Sequence, residues 1–133
     1  MFACGFRDAC FKHCDPVYAN PAGGRKYMQF DDFGLHPSLL RVLDTEEIHC
    51  PTPIQHETIP AVLAGRDVVA VAQTGTGKTL AYVLPALTRL AEGRIRANMM
   101  LVLAPTRELA QQVHEVIVRT GKPLGIGSAA VYG

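Results

Sequence analysis

The sequence predicts an α/β domain in which a parallel sheet is covered by crossover helices. Three observations carry that expectation. Two continuous apolar runs, at residues 68–71 and 99–103, stand about thirty residues apart, the pattern of strands buried on both faces rather than one. Stretches with apolar residues at helical spacing separate and follow them, so that strand and helix alternate. The first run ends in a glycine-rich octet that opens the first long helix. Size and composition agree: 133 residues, 48% hydrophobic and 19% charged, suit one ordinary core and are too few for two. No apolar run approaches the roughly 18 residues of a membrane-spanning helix, so no membrane partner is expected. A net charge of +1 creates no global field for nucleic acid, and any such binding must be local.

Residues 1–29 hold Asp15-Pro16, Asn20-Pro21 and Ala22-Gly23-Gly24, turn-forming punctuation without a sustained period. They are read as a flexible leader preceding a domain over residues 30–133. Polar residues scattered through the leader break up any signal-peptide pattern, which makes the cytoplasm the expected compartment. Cys4, Cys10, Cys14 and Cys50 form no C-x-x-C pair. Structural metal sites use such tight ligand pairs, so reduced thiols are expected instead of a metal site, despite His13 among them.

From Phe30 the character changes. Leu35, Leu39, Leu40 and Leu43 recur at helical spacing, with Pro37 placed for a first turn. Thr52-Pro53-Ile54-Gln55 then offers a capping threonine, a proline at the first helical position and a glutamine three places after the cap. The helix it starts buries Ile59, Val62 and Leu63. Pro60, lacking an amide hydrogen, should bend or restart it, and Gly65 can take the left-handed stop. The strand at 68–71 follows, then a helix over residues 78–91 and the strand at 99–103. The next helix, capped by Thr106, carries the buried stripe Leu109, Val113, Val116 and Ile117. A third strand is expected over residues 128–132, running directly into the chain terminus.

The most specific feature is Ala72-Gln73-Thr74-Gly75-Thr76-Gly77-Lys78-Thr79, at a strand-to-helix junction. A phosphate chain needs several converging donors at close backbone approach, which Gly75 and Gly77 permit by lacking a β-carbon and tolerating positive φ. The helix opening there aims free amides and the positive end of its dipole at the same point. Lys78 adds a mobile ammonium for the β and γ phosphates, and the Thr79 hydroxyl suits Mg²⁺. The strict pattern begins with glycine where this chain has Ala72, a departure that keeps the residue small. A glycine-rich turn that binds nothing is the alternative, disfavoured because Gly-Lys-Thr falls at the required offset.

With its neighbours, this octet resembles the DEAD-box RNA helicases. Residues 30–35 (Phe30-Asp31-Asp32-Phe33-Gly34-Leu35) and Pro51-Thr52-Pro53-Ile54-Gln55 look like the family's adenine-reading Q motif with its upstream aromatic residue. Residues 72–79 match motif I, Pro105-Thr106-Arg107-Glu108-Leu109-Ala110 matches motif Ia, and Val131-Tyr132-Gly133 resembles the start of the glycine doublet. The resemblance covers residues 30–133. It implies a three-layer RecA-like P-loop fold, incomplete in this chain, with ATP and Mg²⁺ as cofactors.

Residue by residue, it implies an ATP site of Phe30, Ile48, Gln55, Thr74, Gly75, Thr76, Gly77, Lys78 and Thr79, with Lys78 and Thr79 catalytic and Thr79 the Mg²⁺ ligand. The Gln55 amide would select adenine over guanine by paired hydrogen bonds. The residues alone also allow Gln55 simply to complete a capping box with Thr52. Pro105, Thr106, Arg107 and Gly133 would touch the backbone of single-stranded or duplex RNA, where sequence is not read. Taken alone, Thr106 is only a helix cap and Arg107 a solvated charge. Where the family pattern has glycine and an aromatic residue before the Q motif, this chain has Glu47-Ile48, so stacking on adenine is lost there.

The Asp-Glu-Ala-Asp and Ser-Ala-Thr segments do not occur in the sequence, nor does a second RecA-like domain with its arginines. The chain therefore reads as an amino-terminal piece of an ATP-dependent RNA helicase's first domain, an ATP hydrolase when whole and expected to be inactive alone. The alternative is a non-catalytic truncated module that binds nucleotide or RNA. A DNA-acting helicase or transport ATPase of the same loop class is disfavoured by Gln55 and by residues 105–110.

Overall fold

Each helix starts where the sequence offers a cap. The computed structural model describes residues 28–93 and 100–132. It contains a 3₁₀ turn at Phe30–Phe33 and four helices: α1 (Pro37–Thr45), α2 (Pro53–Leu63), α3 (Lys78–Ala91) and α4 (Arg107–Gly121), followed by a 3₁₀ turn at Lys122–Leu124. Met28 packs on the core and Gln29 caps the first turn, with the Gln29 amide donating to Asp32 Oδ2 at 2.9 Å. These two are the last residues of the expected leader; the rest of it lies outside the described residues, as do Met99 and Gly133.

Helix α1 opens on Pro37, and the His36 ring nitrogen accepts from the Ser38 amide at 3.2 Å. Its apolar stripe turns Leu39 and Leu43 wholly inward. At the far end the Ile48 amide reaches back to the Leu43 carbonyl at 2.8 Å and the Glu47 amide to Asp44 at 3.1 Å. This double closure demands a left-handed residue, and Glu47 supplies it at φ 57°, alone in this respect among the described non-glycine residues. Helix α2 ends on the same pair of bonds, from Arg66 to Ala61 and from Gly65 to Val62, but there the left-handed residue is Gly65, as expected. Glutamate thus holds a backbone shape that glycine would take freely, at a cost of about 1 to 2 kcal/mol.

The core is made by Phe30, Phe33 and Leu35, by Leu39 and Leu43 of α1, by Ile59 of α2, and by Val83, Leu84 and Leu87 of α3. The most extensive packing is α2 on α3, with α4 laid on α3 and α1 against the segment after α4. Thr88, fully buried, ties two layers together: its hydroxyl accepts from the His36 amide at 3.2 Å and donates to the Leu84 carbonyl at 2.9 Å. Arg119 of α4 approaches Glu46 at 2.5 Å, out of line for a hydrogen bond. Among the described residues no helix is long and apolar enough to cross a membrane.

Three expectations are corrected. Pro60 does not restart α2: the helix is continuous from Pro53 to Leu63. One missing amide is a small loss for a helix whose Ile59 is completely buried against its neighbours. Second, no strand forms among the described residues, so the parallel sheet expected from residues 68–71, 99–103 and 128–132 is absent there. Val69, Val71, Leu101, Leu103 and Val131 stand in solvent at 83–96% exposure, while Val102 and Ala104 are half-buried. Helices cover one side of these segments, but a ladder also requires a neighbouring backbone in register. Third, Cys50 is disulfide-bonded, not a free thiol; Cys4, Cys10 and Cys14 lie outside the described residues.

Candidate nucleotide site

The loop of residues 72–79 is shaped from two sides. Gly75 and Gly77 both adopt left-handed backbone, at φ 82° and 81°. They serve opposite purposes. A β-carbon on Gly75 would meet nothing within 4 Å, so that side of the loop is open. A β-carbon on Gly77 would lie 2.4 Å from Gln55 Nε2, so that side is closed by α2.

What closes it is the start of α2. The Thr52 hydroxyl donates to the Thr76 carbonyl at 2.8 Å, and Gln55 Nε2 donates to the Gly77 carbonyl at 3.1 Å. Gln55 Oε1 in turn accepts from the Thr52 amide at 2.9 Å, the capping bond that the residues alone suggested. Gln55 is 2% exposed and joins the helix cap to the loop in one side chain. Its amide keeps one further donor hydrogen and one further acceptor lone pair by count.

Lys78 folds its ammonium onto the loop as well, donating to the Gln73 carbonyl at 2.8 Å and closely to Ala72. Thr76 Oγ1 donates to Gln73 at 2.8 Å. The carbonyls of Ala72, Gln73, Thr76 and Gly77 are therefore all occupied. The amides of residues 74–78, by contrast, donate to no protein acceptor among the described residues. Carbonyls held back and amides left forward, at the N-terminus of a 14-residue helix, make a site complementary to an anion. The donor set also fits Mg²⁺, a hard cation that takes oxygen ligands such as the Thr79 hydroxyl.

Behind the loop lies a hollow of about 520 Å³ between α2, α3, α4 and the extended segments, reached by Lys78, Thr79 and Tyr82. Burial pushes the Tyr82 phenol up from its usual value, and the Thr79 hydroxyl partly opposes the shift. Sequence reasoning passed over Tyr82, although its place three residues after Thr79 on one helix face was the available signal. It also missed the reach from Thr52 to Thr76.

The remaining candidates sit apart. Phe30 is in the core at 4% exposure, its ring edge-on to Phe33 at 6.2 Å, and Ile48 is half-buried beside the same cluster. Pro105, Thr106 and Arg107 are exposed at the start of α4, where Thr106 Oγ1 accepts from the Leu109 amide at 3.2 Å. Asp44 and His49 make a loose exposed pair at 3.8 Å, and among the described residues no acid, histidine or cysteine cluster could hold a metal by itself.

A glycine-rich loop that opens a helix on Gly-Lys-Thr is found across nucleotide-dependent enzymes. The chain belongs to the DEAD/DEAH box helicase family, whose family model matches residues 52–133. It is 43% identical over 123 residues to ATP-dependent RNA helicase DBP8 of Mycosarcoma maydis, covering 91% of this chain and 23% of that one. To DEAD-box ATP-dependent RNA helicase RhpA of Helicobacter pylori it is 47% identical over 120 residues, covering 90% and 22%. The crystal structure of the RNA helicase Prp28 from Chaetomium thermophilum bound to ADP superposes with a TM-score of 0.72 at 37% identity, over 84% of this chain and 29% of that one. The chain thus spans less than a quarter of the length of the two curated relatives.

Proposed function

We propose that this chain is an amino-terminal, ATP-binding part of an ATP-dependent RNA helicase. In this reading residues 72–79 take the phosphates of ATP, Lys78 serves the terminal phosphates and Thr79 holds Mg²⁺. Gln55 reads adenine, Phe30 and Ile48 being assigned to the purine by the family resemblance rather than by the fold, and Pro105, Thr106 and Arg107 contribute to a surface for the RNA backbone, continued by Gly133. The observation that carries the reading is the division within the loop, carbonyls tied back to α2 and Lys78 while the amides of residues 74–78 stay unclaimed. A triphosphate attracts amides and repels carbonyl oxygens, so such a loop needs little rearrangement to receive one.

The chain's own residues bind and orient. Lys78 exchanges two carbonyl partners for phosphate oxygens, a trade favoured by charge. Gln55 offers its spare donor and acceptor to the purine edge while keeping the loop anchored. Ile48 offers apolar contact without stacking, so adenine is held less firmly than beside an aromatic ring. Bound Mg²⁺ would supply neutralisation of phosphate charge. Strand remodelling is assigned to the whole helicase, because the water-activating acids and the second domain's arginines belong to motifs that this sequence lacks. Arginine-type stabilisation is worth on the order of 10³ to 10⁵ in rate in related phosphoryl transfer, so the 133 residues alone should turn over little ATP.

The test is equilibrium binding of a fluorescent ATP analogue in Mg²⁺. Lys78→Ala should abolish binding while leaving the thermal unfolding midpoint in place; affinity equal to that of the parent chain would end the nucleotide reading.

A further inference from the structure

Among the described residues the buried polar side chains are Gln55, Thr58, Thr88 and Thr120. All but one are bonded. Gln55 ties the start of α2 to the loop, and the Thr88 and Thr120 hydroxyls each donate to the carbonyl four residues earlier, at 2.9 and 2.7 Å, the usual local partner for a hydroxyl on a helix. Thr58, 5% exposed, makes no side-chain hydrogen bond among the described residues, although Ile54 stands four residues before it on α2. The little surface that Thr58 keeps opens on the hollow of about 520 Å³ between α2, α3 and α4. Valine would fill the same space without a polar atom, so an unmet hydroxyl here is costly unless a partner comes from outside the chain.

The walls of the hollow say what kind of partner fits. Ile54, Val62, Ala81, Val102 and Val113 make them mainly apolar. The charged groups there are engaged or offset: Lys78 is turned onto the loop carbonyls, and Arg66 and Asp67 stand exposed with opposite signs. The remaining polar groups, the hydroxyls of Thr58, Thr79 and Tyr82, are neutral and can each donate a hydrogen bond. A single water needs about two to four polar partners, whereas one turn to either side of Thr58 stand Ile54 and Val62. Hollows of several hundred Å³ with apolar walls and a few polar groups are the kind that take small organic ligands. We propose that this hollow is a binding site for a neutral, mainly apolar small molecule with a carbonyl group, to which the Thr58 hydroxyl donates. The site stands whether or not residues 72–79 take a nucleotide.

Thr58→Val removes the hydroxyl and keeps the shape, while Thr58→Ser keeps the hydroxyl. The experiment is a fluorescence titration of the full chain with prodan, a neutral naphthalene bearing a ketone, beside dimethylaminonaphthalene, which lacks the ketone. The parent chain should bind prodan saturably. Thr58→Val should weaken that binding about tenfold with the unfolding midpoint kept, Thr58→Ser should bind as the parent does, and the ketone-free probe should bind the parent and Thr58→Val alike. Equal prodan affinity in the parent and Thr58→Val would overturn the proposal, because the probe would then lie elsewhere, as on the exposed Val69, Val71, Leu101 and Leu103. So would a parent chain that never saturates, or an equal loss of both probes in Thr58→Val, which would make Thr58 a support of the walls alone. Competitive displacement of prodan by an ATP analogue would also end it, since the hollow would then belong to the nucleotide site.

Discussion

Helices α3 and α4 begin in opposite ways. At α4 the cap is local: Thr106 accepts from Leu109 three residues on, and the helix start lies exposed with its own amide satisfied. At α3 no side chain caps the first turn; the residue in that place is left-handed Gly77, and the bonds that shape the entry come from α2, more than twenty residues earlier in sequence. The first arrangement stabilises a helix and asks nothing of a ligand. The second spends tertiary contacts on the carbonyls and leaves the amides for something else to satisfy. A helix N-terminus whose cap is withheld is left complementary to an anion, and here the cap is withheld by holding the loop from behind.

Gly77→Ala is the strongest way to break the contrast. The new β-carbon meets the Gln55 amide, and alanine must adopt φ 81°. Stability should fall by roughly 2 to 3 kcal/mol from the backbone and the lost bond together, with loss of analogue binding, as read by denaturant unfolding and fluorescence. Intact binding would show that the Gln55 tie is dispensable to the loop. Gln55→Ala comes next, leaving the Thr52 amide without a partner and the Gly77 carbonyl with the Ala81 amide alone, at a cost of about 1 to 2 kcal/mol. Competition binding should also show the preference for ATP over GTP disappearing; a preference that survived would restrict Gln55 to its structural bonds. The smallest effect belongs to Thr106→Ala, about 1 kcal/mol in unfolding with analogue affinity unmoved. Were affinity to fall as far as it does in Gly77→Ala, the two helix starts would not be separable.

Much of this was legible because caps are local. Pro37, Thr52-Pro53, Gly77-Lys78 and Thr106 mark the four helix starts within a few residues of sequence, and all four begin there. Gly65 announced its left-handed turn in the same way. The sheet was not legible to the same degree. A run such as residues 68–71 states that it should be buried, yet it does not name the strand that would pair with it, and among the described residues none does. At the site, the capping bond of Gln55 could be read beforehand, and the structure adds its bond to Gly77 across 22 positions. No spacing rule reaches that far.

Glutamate at position 47, held in a backbone shape made for glycine, has a consequence at the level of the gene. Glutamate and glycine codons differ by a single base. The left-handed bend after α1 is therefore one point substitution from relaxing, and drift under heat has a short path to a sturdier chain that leaves residues 72–79 untouched.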